Sequence, residues 1–157
     1  MEGDILPPKS YIDNLDMARQ EAIVVDEGLN LLTPKFLAHT WLAQESVYFA
    51  NSQGLSLKLA RALFDAFFLK GSDICNEEVV MQIASESGID TQRLRQALDN
   101  GELTKHVMAD EQEFKTYGFQ GLPAMLIGEK DFSPKSFMPI TGYKTFDELV
   151  RFLPKNS

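Results

Sequence analysis

Apolar positions recur at helical spacing through most of the chain and then give way to a short unbroken run near its end. The first dozen residues, with Pro7-Pro8 and Ser10, predict irregular chain. Asp13 is placed to cap a first helix, with Leu15, Ala18, Ala22 and Val25 as its apolar stripe and Gly28 as a left-handed stop. Thr33-Pro34 predicts a second helix start, because proline at the first helical position has no N–H to lose. Leu37, Trp41 and Tyr48 line one stripe, Ala38, Leu42 and Phe49 widen it, and Gly54 ends it. A third helix is expected from about Ser56 to Leu69, faced by Leu59, Leu63, Ala66 and Phe67. Phe64 and Phe68 make it apolar on more than one side, which predicts a central position.

Asn76-Glu77-Glu78 offers a cap and two acids in a first turn, where the helix dipole favours them. Val79, Val80, Ile83 and Ala84 face inward there, and Gly88 stops the helix. Asp90 or Thr91 opens a short helix through Leu94 and Leu98 to Gly101. Another carries Leu103, Val107 and Phe114 to Tyr117-Gly118. The period then changes. Leu122 to Ile127 reads as a buried strand entered at Pro123, and Phe137 to Ile140 as a second strand that Pro139 confines to a sheet edge or to the strand's end. Gly128 to Pro134 between them reads as a polar turn. Thr145 and Glu148 have capping-box spacing, and the last helix is expected to bury Phe146, Leu149, Val150 and Leu153. Two strands alone are marginal in water, so the predicted sheet looks incomplete.

Length changes this picture little: 157 residues suffice for one domain with a core. The formal net charge of -8 disfavours a nucleic-acid partner, and no cationic cluster offsets it. No apolar run approaches the ~20 residues of a membrane span. The start, Met1-Glu2-Gly3-Asp4, lacks secretory-signal features, so the expected address is cytoplasmic.

Candidate chemistry is sparse. Cys75 is the single cysteine, which excludes an intrachain disulfide, a thiolate cluster and a C-x-x-C pair. It stands near a predicted helix start, where a thiol can become reactive, but Asp73, Glu77 and Glu78 would raise its pKa. A half-buried structural cysteine is the plainer expectation. His106 and Asp110, four apart on one helix, can share a face, and His39 lies near Trp41; neither histidine has a metal-ligand set or a nucleophile to activate. No catalytic residue, metal or cofactor is expected from these patterns. The aromatic stretch of Phe64, Phe67 and Phe68 with Trp41, Tyr48 and Phe49 reads as core, with a ligand cavity as the alternative. The run Asp110-Glu111-Gln112-Glu113 reads as a solvated helix face.

Four blocks resemble the DsbA family of thioredoxin-like proteins. Ala62 to Phe68 followed by Gly71-Ser72-Asp73-Ile74, and Ala84 to Asp90, are similar to its helical insertion. Tyr117-Gly118-Phe119-Gln120-Gly121-Leu122-Pro123-Ala124 resembles the strand entry that bears its cis-proline. Ile140-Thr141-Gly142-Tyr143 and the capped helix after it resemble the last strand and C-terminal helix. The branch most alike is that of FrnE-type proteins and 2-hydroxychromene-2-carboxylate isomerases. The resemblance implies one α/β thioredoxin-like domain over residues 1–157, mostly helical, with its insertion at about 13–117 and its cis-Pro strand, last strand and final helix at about 118–153. It implies thiol–disulfide oxidoreduction or isomerisation, with Gly121, Leu122 and Pro123 holding substrate: a thiol or disulfide peptide, or glutathione. The family's strand–helix–strand unit with C-x-x-C has no counterpart here, so the chain is expected either to be a fragment or to descend from a lineage that lost that half. Redox inactivity, a non-catalytic binding role, and a homodimer or pairing with an N-terminal half are the resulting expectations. Pro123 alone could equally be a proline that starts a buried strand.

Overall fold

The computed structural model describes residues 6–25, 29–119, 121–127 and 138–153. It is mostly helical, with one small sheet. The helices are α1 (Lys9–Val25), α2 (Trp41–Asn51), α3 (Ser56–Phe64), α4 (Glu77–Glu86), α5 (Thr91–Asp99), α6 (Glu102–Thr116) and α7 (Phe146–Phe152). The strands are β1 (Ala124–Ile127) and β2 (Met138–Thr141). Two compact units divide within α6, between Val107 and Met108.

In the first unit α2 packs on α3, α4 and α5. The centre is apolar: Leu59, Val80, Ala84 and Leu94 have no exposed surface, and Leu63, Phe67, Met81 and Leu103 close around them. Local chemistry sets the helix ends as expected. Asn76 caps α4 by accepting from the N–H groups of Glu78 and Val79, and Asp90 caps α5 by accepting from Gln92 and Arg93. Gly88, at φ +91°, takes the left-handed turn after α4 that lets the Ile89 N–H reach back to the Ala84 carbonyl at 2.9 Å.

Three expectations are corrected here. The first helix starts at Lys9, not at Asp13, because the Pro8 carbonyl accepts from the N–H groups of both Tyr11 and Ile12 and already forms its first turn. Gly28 lies outside the described residues. The second helix starts at Trp41, not at Pro34. Residues 29–40 are held by long-range contacts instead: Arg19 donates to the Leu31 carbonyl and the Thr33 hydroxyl, each at 2.6 Å, and Phe36 meets Phe67 edge-on at 6.2 Å. Those contacts outweigh the local preference at Thr33-Pro34. The third helix runs to Leu69 as expected, but its last stretch, Asp65–Leu69, is a π-helical turn, and Phe64 is exposed rather than central. The Phe68 carbonyl accepts from the Leu32 N–H at 2.6 Å.

In the second unit β1 and β2 pair antiparallel, Ala124 opposite Thr141 and Ile127 opposite Met138. Pro139 sits within β2 opposite Leu126. The Gly142 N–H continues the ladder to the Pro123 carbonyl at 2.8 Å, and a φ of +85° at Gly142 then turns the chain away. Thr145 and Glu148 form the expected capping box of α7. That helix does not bury the face assigned to it, however. Phe146, Val150 and Leu153 are exposed, and only Leu149 is half-buried. The turn predicted at Gly128–Pro134 and the strand start at Phe137 lie outside the described residues. Among the described residues no helix is long and apolar enough to cross a membrane.

Candidate functional site

The site centres on the entry to β1. Gly118 closes the stretch after α6 with a φ of +72°, and Gly121, Leu122 and Pro123 lead into the strand. The Leu122–Pro123 peptide bond is cis. Pro123 gives its carbonyl to Gly142, while Leu122 is 80% exposed. Among the described residues, neither the N–H nor the C=O of Leu122 has a hydrogen-bond partner. The chain bends there, and Leu122 is exposed and able to pair with another chain. A Cβ added at Gly121 would lie 4.0 Å from Thr141 Cγ2, an ordinary contact, so space alone does not demand glycine there.

A groove of about 300 Å³ runs beside this entry, within the second unit. Phe114, Tyr117 and Phe119 form its aromatic wall, Ala124 and Leu126 its aliphatic one, and Asp110 and Glu113 its charged rim. Phe119 lies 5.1 Å from Phe114 and 6.1 Å from Tyr117, with the Tyr117 ring turned 62° to it. Glu113 accepts a short hydrogen bond from the Tyr117 hydroxyl, and that bond holds Tyr117 above the ordinary phenol range. In sequence, Asp110 and Glu113 read only as part of a solvated helix face. A helix, a turn and a strand converge to make the groove, and no local pattern encodes that.

The Cys75 sulfur accepts the His39 N–H at 3.1 Å, and the Asp73 carboxylate accepts the Cys75 N–H at 2.9 Å. Partial burial pushes the thiol up; the His39 N–H pulls it back, and Asp73 adds to the rise. Cys75 is exposed rather than half-buried as expected, yet its surroundings favour thiol over thiolate. His106 stacks flat on Tyr48 at 4.3 Å, and His39 lies 6.5 Å from Trp41. Of the aromatic stretch, Phe67 is buried, Phe68 packs edge-on against it at 4.9 Å, and Phe64 faces solvent. Among the described residues no group of three His, Cys, Asp or Glu could hold a metal ion.

A family-level sequence model, the DSBA-like thioredoxin domain, matches residues 4–153. Among solved structures, a Nitrosomonas europaea protein described as "a putative protein disulfide isomerase" superposes with a TM-score of 0.71 at 17% identity, over 97% of this chain and 75% of that one. At that identity the likeness concerns the fold. No curated protein matches.

Proposed function

We propose, for a chain that belongs to the DSBA-like thioredoxin domain family, that its Leu122–Pro123 segment holds an extended substrate, and that these 157 residues alone do not turn over disulfides. The family is one of thiol–disulfide oxidoreductase-like proteins. Its chemistry needs a thiolate of low pKa that attacks a disulfide sulfur. Cys75 is the sole cysteine, and its thiol is pushed up rather than down. With no second cysteine, no disulfide can form and open within the chain.

The observation that carries this reading is the exposed, unpaired backbone of Leu122 at the head of β1. Such backbone accepts a peptide by strand addition, or the peptide-like body of glutathione. Amide NMR shifts of Leu122 and Ala124 on titration with extended peptides and with glutathione test it. Movement at millimolar ligand is expected; unmoved resonances for both overturn the binding role. Disulfide reduction by the purified chain at the rate of the protein-free control is the expected redox result, and measurable turnover overturns that half.

A second reading, assembly, is favoured by Phe146 and Val150, exposed apolar residues one turn apart on α7, and by the exposed Leu153 just after it. It supports a homodimer or pairing with a separately supplied N-terminal half. Light scattering after size exclusion tests the dimer, and a stable monomer at high concentration counts against it.

A further inference from the structure

We propose that the groove beside β1 seats one cationic side chain, a Lys ammonium or an Arg guanidinium, carried by the peptide held at Leu122. The inference rests on the peptide-holding reading above and adds a preference to it. Phe114, Tyr117 and Phe119 are not coplanar, so their rings wall a recess rather than form a flat stack. Ring faces carry the negative lobe of the aromatic quadrupole and attract a cation. Asp110 and Glu113 stand about one turn apart on α6, at the same rim. Among the described residues no Lys or Arg lines the groove, and Lys115 on the same helix is already paired with Glu111 at 2.9 Å. An incoming phosphate or carboxylate would meet two like charges.

The aliphatic wall suits the rest of the side chain. Ala124 and Leu126 alternate with Met125 and so share one face of β1, where the methylene stem of Lys or Arg can lie. Ala124 lies only two residues beyond Leu122 in the chain. A peptide paired at Leu122 would therefore bring its cation to the groove from a position one or two residues away.

The test compares two extended peptides on the full chain, one with Lys at that position and one with norleucine, using NMR titration. The Lys peptide is expected to bind about tenfold tighter, and the gain to vanish in the double variant Asp110→Asn, Glu113→Gln and to shrink in Phe119→Leu. Free n-butylammonium should shift the ring resonances of Phe114 and Tyr117 without any peptide. Equal binding of the two peptides overturns the inference and leaves the Leu122 reading standing, as does a Lys gain that survives the double variant. Ring shifts with n-butylammonium but no binding of either peptide overturn the Leu122 reading, and with it the assignment of the cation to a peptide.

Discussion

Asn76 accepts from two N–H groups that the first turn of α4 would otherwise leave to water, at 2.9 Å and 3.4 Å. Asn76→Ala should lower stability by about 1 kcal/mol in urea unfolding, and Asp90→Ala by a similar amount at α5. Glu148 offers a residue-scale test with pH. Its carboxylate accepts from the Thr145 N–H at 2.8 Å, and that bond leads the causes holding it below its ordinary value of 4.5. A carboxyl lowered in the folded state contributes stability above 4.5 and loses it as pH falls through the folded value. The Cα shifts of residues 146–152 should therefore stay helical as pH falls to 4.5 and weaken only below it. In Glu148→Gln, which keeps capping-box chemistry without the titration, they should not change with pH.

Among the elements, α3 and α7 differ most in what their apolar residues do. Leu59 in α3 has no exposed surface, so Leu59→Ala should cost about 2–5 kcal/mol in denaturant unfolding. Phe146 in α7 is 79% exposed, and Phe146→Ser should change stability by less than about 0.5 kcal/mol. The sequence made these two residues look alike, since an amphipathic pattern names a face but not what covers it. Caps at Asn76, Asp90 and Thr145 were legible because capping is settled within four residues. The start of α2 was not, because Phe36, Leu32 and Arg19 answer to partners far away in the chain. At the candidate site, Gly121, Leu122 and Pro123 were legible from a family resemblance, whereas the groove depends on residues brought together only by folding.

At the scale of the whole molecule, stability is unevenly spread. The first unit holds an apolar core of ten or more buried residues, whereas in the second Ile140 is the one hydrophobic residue buried to that degree among those described. Native-state hydrogen exchange should show amides of α2 to α5 opening only with global unfolding, and those of β1, β2 and α7 exchanging much faster. Equal protection across both units would contradict this. The unevenness bears on how the molecule can be watched. Its single tryptophan, Trp41, donates its indole N–H at 3.0 Å to the buried carboxylate of Glu45, which also accepts the Thr104 hydroxyl at 2.6 Å. All three residues lie in the first unit. Tryptophan emission is thus a lamp in one room of the house: the stretch bearing Leu122 could come apart while the fluorescence stayed native.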